Sequence, residues 1–295
     1  MSPVSQAVLY MTAACSFFAL MNVFVRIASD AGLDPLQIAF FRNLFALATM
    51  IPWLLATGFQ GLKTKRLGAH ARRATLGLTA MVLWFSSVAV LPLAEATALN
   101  FTFPLFGTIL AALILKEQVR IRRWSATVIG FLGVLIILQP WDAALSWHSF
   151  LPIGAAFFMA FSAITVKQLS STESAGTVVL YMNLIMTPVS LIPALFVWQW
   201  PDWEIWLSLA ALGCFAAVSH VALTRAYALT DASFLQPLDY LRLPMIALLA
   251  FVIFGEIPSD WIWPGAAVIA SASIYIARRE AKLARVKRRP HVQPQ

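Results

Sequence analysis

The chain alternates long apolar runs with short polar breaks, and the runs are as long as a bilayer is thick. A helix that crosses the hydrocarbon needs about 20 mostly apolar residues. Ten stretches meet that requirement, at about 6–28, 35–57, 73–93, 95–115, 123–140, 149–169, 175–198, 204–228, 232–254 and 261–278. Pro35, Pro140, Pro201 and Pro258 fall at or near breaks, where a missing N–H and a restricted preceding residue favour a turn. Pro52, Pro92, Pro104, Pro188, Pro193 and Pro244 fall within or at the ends of apolar runs and predict kinks or hinges. The first run begins near Gln6, has no Lys or Arg before it and shows no evident cleavage site, so it reads as a retained helix.

Composition fixes the solvent. Of 295 residues, 60% are hydrophobic and 12% charged, with a mean hydropathy of +0.79, too little polar surface for a water-soluble particle. A net charge of +8 would raise the question of nucleic acid in a soluble protein. Here the basic residues cluster where membrane topology needs them. Lys63, Lys65, Arg66, Arg72 and Arg73 follow the second run; Lys116, Arg120, Arg122 and Arg123 follow the fourth; seven more occupy the segment from Arg278 to Arg289. Connections after runs three, five, seven and nine carry none. By the positive-inside rule this pattern predicts an inner-membrane protein with both termini in the cytoplasm, in contact with lipid and not with nucleic acid. Cys15 and Cys214 each lie inside an apolar run and predict no disulfide framework.

Displaced by about 140 residues, the sequence matches itself. Phe17-Phe18 answers Phe157-Phe158, Asn43-Leu44 answers Asn183-Leu184, and Ile51-Pro52 answers Ile192-Pro193. Leu115-Lys116-Glu117 with Trp124 answers Phe254-Gly255-Glu256 with Trp263. Five crossings per copy force the second copy to start on the opposite side. The expected fold is therefore all-α and integral to the membrane, ten transmembrane helices arranged as two inverted five-helix repeats. The expected boundaries are 1–140 and 141–279, followed by a basic and disordered tail, 280–295. Inverted repeats around a midplane site are a recurring plan of secondary transporters.

Arg42, Pro104, Glu117, Gly130 and Gly133 in the first half, and Pro244, Glu256 and Gly265 in the second, resemble the pattern of the drug/metabolite transporter superfamily, specifically its ten-span members with two EamA-type repeats. Met182 stands where a second Arg42 would fall, and Gly-Ala-Ala-Val-Ile-Ala-Ser-Ala-Ser in the last run carries small residues where glycines are expected. The resemblance implies secondary transport of a small polar metabolite by alternating access, with export of neutral or aromatic amino acids as the expected activity, as in YddG-like exporters. A carrier of nucleotide sugars or phosphorylated metabolites is the alternative. A cation-selective pump is disfavoured because the first run carries no carboxylate.

Polar residues at membrane depth are costly and mark candidate sites. Arg42, Arg225, Asp239 and Arg242 are the charges in question, with Glu95 near an interface. Gln236, Asp239, Tyr240 and Leu243 share a helical face, and Arg242 follows Asp239 by three, so an ion pair is expected. That pair either grips substrate or ties helices together. His220 could carry a coupling proton, bond a substrate carboxylate, or bond a neighbouring helix. Asn22, Asn100 and Ser162, with Trp84 and Phe101 as aromatic walls, complete the expected substrate-binding set of Asn22, Trp84, Asn100, Phe101, Ser162, His220, Asp239, Tyr240 and Arg242. Glu117 and Glu256, at ends of equivalent helices, read as structural anchors. No metal-ligand cluster, hydrolase elbow or phosphate loop occurs, so no cofactor, metal or enzymatic activity is expected. Two halves in one chain predict a monomer.

Overall fold

The computed structural model describes residues 2–91, 93–139, 146–255 and 260–287, and these are helical throughout apart from turns and connections. Thirteen α-helices are present among the described residues: α1 (Pro3–Asp30), α2 (Pro35–Thr49), α3 (Ile51–Thr57), α4 (Leu67–Val90), α5 (Leu93–Asn100), α6 (Phe103–Ile114), α7 (Ile121–Leu138), α8 (Phe150–Leu169), α9 (Ala175–Phe196), α10 (Ile205–Leu229), α11 (Ala232–Asp239), α12 (Arg242–Phe254) and α13 (Ile262–Lys287). Eight helical stretches are long and apolar enough to cross a membrane: Pro3–Asp30, Pro35–Thr57, Ala96–Ile114, Ile121–Leu138, Trp147–Leu169, Ala175–Phe196, Ile205–Leu229 and Ala232–Phe254. Leu113 and Leu207, inside such stretches, are 71% and 79% exposed, as befits side chains whose solvent is hydrocarbon. The protein is a multi-pass membrane protein.

Local chemistry sets the helix ends. Pro35 occupies the first turn of α2, where its missing N–H is no loss, and the Asp34 carboxylate accepts from the Leu36 N–H at 2.8 Å. Ser2 and Ser174 cap α1 and α9 by accepting from the N–H groups of Ser5 and Thr177. Pro52 coincides with the α2–α3 break and Pro201 lies in a connection. Pro188 and Pro193 leave α9 continuous, although Pro188, Val189 and Ile192 face outward. Pro92, Pro140, Pro258 and Glu256 lie outside the described residues.

Packing follows a regular scheme. α1 lies against α10 and α12, α4 against α8 and α9, α2 against α9 and α10, α6 against α8 and α11, and α7 against α13. The α7–α13 contact brings main chains together: a Cβ on Gly265 would stand 2.7 Å from the Gly133 carbonyl oxygen, and one on Gly133 would meet the Gly265 oxygen at 3.0 Å.

One end of the bundle is tied together by charge. Lys116 takes a left-handed conformation, φ 55°, and aims Glu117 at the start of α11, where its two carboxylate oxygens accept from the N–H groups of Ala232 (2.7 Å) and Ser233 (2.9 Å). The expected anchor role of Glu117 is thus met by the positive end of another helix. Arg123 bridges Asp231 (2.8 Å) and Glu280 (3.0 Å), and Lys167 donates to the carbonyls of Tyr227 and Thr230 that close α10. The expectation of a disordered chain beyond Arg278 is corrected here. α13 runs on to Lys287, held by the Glu280–Arg123 bridge. At the opposite end Gln37 exchanges two hydrogen bonds with the Gln199 backbone beside Phe40, Phe41, Trp198 and Trp206, and Arg26, paired with Asp30 in α1, stands 5.8 Å from the Phe254 ring centroid of α12.

Two substitutions test this scheme in detergent. Gly265→Leu drives a side chain into main chain and should cost about 1–3 kcal/mol, read as a lower thermal midpoint. Glu117→Gln weakens the charge at the start of α11 and should lower the midpoint by an amount equivalent to about 1 kcal/mol; an unchanged midpoint in either variant would count against the contact.

Candidate substrate-binding site

Two membrane segments that the hydrophobic pattern presents as continuous are each interrupted, and they meet at their interruptions. α5 ends at Asn100 and α6 begins at Phe103; α11 ends at Asp239 and α12 begins at Arg242. Pro104 and Pro244 fall in the first turn of the segments that follow, each removing an N–H that an unbroken helix would use. Phe101 and Tyr240, inside the two breaks, stack with centroids 6.3 Å apart and planes 28° from parallel. Close approach is permitted by Gly107 and Gly130, where a Cβ would stand 2.3 Å from the Gln236 amide and 2.4 Å from the Tyr240 ring.

Beside this junction runs a chain of contacts that joins five helices. Arg42 of α2 donates through Nη2 to Nε2 of His220 on α10 at 2.9 Å. A guanidinium only donates, so Nε2 accepts and the imidazole carries its proton on Nδ1, which is buried without a partner among the described residues. The geometry therefore uses the neutral imidazole. His220 meets the edge of Phe18 on α1 (centroids 5.1 Å), and the opposite neighbour of Phe18 is the Arg242 guanidinium, 4.4 Å from the ring centroid. Arg242 of α12 closes the chain by donating to Asp239 of α11 at 2.6 Å, the ion pair that the sequence spacing predicts. Arg42 also donates to Asn43, whose amide donates to Ser190 on α9.

The remaining expected residues are distributed around this chain. Asn22 is half-buried and its amide donates to the Phe18 carbonyl in its own helix; Ser162 donates to the Arg73 carbonyl at 3.3 Å; Asn100 donates weakly to the Pro152 carbonyl at 3.4 Å. Trp84 is half-buried on α4 and makes no ring contact with this cluster. Arg225, expected at membrane depth, is exposed near the end of α10, 5.7 Å from the Tyr10 ring centroid and beside Glu173 and Trp53. The side chain of Glu95 lies outside the described residues.

Two residues of the cluster escape sequence reasoning. Phe18 registers there only as a repeat match. Arg73 reads there as one of five basic residues of a connection, yet it lies inside α4 and is 4% exposed. The usable signal for Arg73 is its place three residues after His70, which is also buried, on one helical face. Arg72, adjacent in sequence, points instead into a depression of about 660 Å³ lined also by Arg66, Lys167, Glu117 and Asp231 at the basic end.

Interrupted membrane helices crossing at a polar and aromatic junction are how a membrane carrier of small solutes builds its site. The chain belongs to the EamA-like transporter family, whose model matches it twice, over residues 5–139 and 146–278. It is 38% identical over 287 residues to a riboflavin transporter of Vibrio cholerae serotype O1, covering 96% of both chains. It is 31% identical over 250 residues to an S-adenosylmethionine uptake transporter of Rickettsia prowazekii, covering 85% of both. A solved crystal structure superposes with a TM-score of 0.80 at 18% identity, covering 97% of this chain and 99% of the other, which shows a shared fold. The protein is a small-molecule transporter of this family.

Breaking the Asp239–Arg242 pair from one side leaves a buried ion or dipole unmatched. Asp239→Asn alone should destabilise by about 3–5 kcal/mol, whereas Asp239→Asn combined with Arg242→Gln should recover part of that loss. A double-mutant cycle on thermal unfolding reads the difference, and strict additivity would mean the pair carries no coupling.

Proposed function

We propose that the protein is a secondary transporter of riboflavin in the cell inner membrane, working by alternating access through ten crossings arranged as two inverted five-helix halves, 1–140 and 141–279. The observation that carries this reading is the junction itself, where Phe101 stacks on Tyr240 beside buried groups that mostly donate hydrogen bonds. Among the described residues Arg73 Nε, Arg242 Nε and His220 Nδ1 have no acceptor, the Tyr240 hydroxyl and both ring nitrogens of His70 have no partner, and Asn183 Oδ1 and Gln236 Oε1 have no donor. A planar, acceptor-rich heterocycle such as the flavin ring complements those donors, and offset stacking on Phe101 adds about 0.5–1.5 kcal/mol.

Charge separates this cargo from the other one suggested by similarity. Among the described residues Arg42, Arg73 and Arg242 act on His220, and the carboxylate paired with one of them is Asp239. A sulfonium cation such as S-adenosylmethionine meets repulsion there, and a neutral flavin does not. An amino acid cargo, expected from the resemblance alone, has no support from the relatives. The inverted arrangement is supported by helix pairings that map onto one another under the exchange of halves. α1–α10 corresponds to α4–α8, α2–α10 to α4–α9, and α1–α12 to α6–α8. The two breaks correspond as well. Since one chain contributes both halves, the working unit is a monomer with both termini in the cytoplasm.

Counterflow decides the cargo. Proteoliposomes preloaded with unlabelled riboflavin should accumulate labelled riboflavin with saturation, unlabelled neutral and aromatic amino acids should not compete, and Phe101→Ala should raise the half-saturating concentration about fivefold to tenfold, as loss of one stacking contact implies. Absence of riboflavin exchange in folded protein would overturn the assignment, and only competition by amino acids would return it to amino acid transport.

A further inference from the structure

A cavity of about 330 Å³ lies where α3, the start of α9 and the end of α10 meet, and its lining includes Trp53, Ser170, Glu173, Ser174, Thr224 and Arg225. The Trp53 indole forms one wall. It is seated on Gly176, where a Cβ would stand 2.3 Å from the ring. Arg225 lies one turn before the end of α10, in a stretch long and apolar enough to cross a membrane, and is exposed beside Tyr10. On α3, Ile51 and Leu55 are exposed as well. A cation and aromatic rings at the end of an apolar helix are the usual anchors at a membrane interface, so the cavity lies at the level of the lipid headgroups.

Two opposite charges line this cavity without pairing. None of the ion pairs among the described residues includes Arg225 or Glu173. Glu173 accepts from the Thr64 hydroxyl at 2.7 Å through Oε1, and Oε2 has no donor among the described residues. The hydroxyls of Ser170 and Thr224 spend their protons on the carbonyls of Lys167 and His220, so each has lone pairs to offer. The lining therefore combines one guanidinium with a set of acceptors. A phosphodiester suits the guanidinium fork, and a primary ammonium, with three N–H donors, suits the acceptors. A quaternary ammonium has no N–H to give them, and a glycerol headgroup brings no cation to Glu173.

We propose that this cavity holds the headgroup of an ethanolamine phospholipid, with its phosphate on Arg225 and its ammonium on Glu173 and the neighbouring hydroxyl oxygens. A lipid seated there ties α3 to α9 and α10. The cavity has no lining residue in common with the Phe101–Tyr240 junction, so its occupant is independent of the transported solute.

The test is native mass spectrometry of the purified full-length protein, titrated in detergent with palmitoyl-oleoyl phosphatidylethanolamine, phosphatidylcholine and phosphatidylglycerol in turn. The first molecule of the ethanolamine lipid should bind about fivefold more tightly than either of the others, as one additional charge pair at an interface implies. Arg225→Gln should weaken the ethanolamine and choline lipids alike. Glu173→Gln should bring the ethanolamine lipid down to the level of the choline lipid and leave the choline lipid unchanged. Glycerophosphoethanolamine, the same headgroup without acyl chains, should not displace the bound lipid at equal concentration. Equal binding of the three lipids, tighter binding of the glycerol lipid, or variants that bind as wild type does, overturns the proposal. Displacement by the acyl-free headgroup overturns the lipid as occupant. A thermal midpoint checks that each variant is folded; if Glu173→Gln is not, the lipid series on wild type and Arg225→Gln decides the question.

Discussion

Hydrocarbon offers no partner to a backbone N–H or carbonyl, and the architecture of this protein follows from where that rule is relaxed. Most of the chain satisfies it by continuous helix. At residues 101–102 and 240–241 it does not, and there the irregular backbone is enclosed by protein, with α11 seated against α6 and α7. Gly107 and Gly130 exist at those contacts because any larger residue would hold the two interruptions apart. The junction, its aromatic stack and the adjacent ion pair are therefore one structural unit, and the surrounding helices are arranged to exclude lipid from it.

Much of this was legible in sequence because bilayer thickness imposes a length on every apolar run, and a length is easy to read. The ion pair was legible too, since Asp239 and Arg242 lie one helical turn apart. What stayed hidden depended on which way residues face across the bundle. The second, fourth and ninth runs break where Pro52, Pro104 and Pro244 predict kinks or hinges, but the meeting of the last two breaks was not legible. Arg73 sits among four other basic residues, and nothing in a connection-like run of charge distinguishes the one that turns inward. Phe18 is a phenylalanine in an apolar helix, a commonplace until His220 and Arg242 are found on either side of it. Trp84 and Arg225 show the opposite error: their residue types suit a site, and the fold leaves them outside the cluster.

The two ends of the bundle are held by different physics. Ionic bridges and charged helix caps close one end, so its strength falls as salt screens the exposed members. Glutamine amides and indole rings close the other together with Arg26 over the Phe254 ring, so screening has less to act on there. Unlike chemistries at the two ends allow each closure to be weakened without the other, which is what the proposed alternating access requires.

The strained elbow at Lys116 has a mechanical consequence. The Glu117 carboxylate clasps the first two N–H groups of α11, so that half-helix is tied at its start to the turn between α6 and α7 and at its end to α12 by the Asp239–Arg242 pair. A rocking motion that preserves the clasp carries α11 along with α6 and α7 as one lever, and the flexure falls on Tyr240 and Leu241, the residues between α11 and α12. The fulcrum then coincides with the junction of the two interrupted helices, so the ring that stacks on Phe101 is also the pivot of that motion.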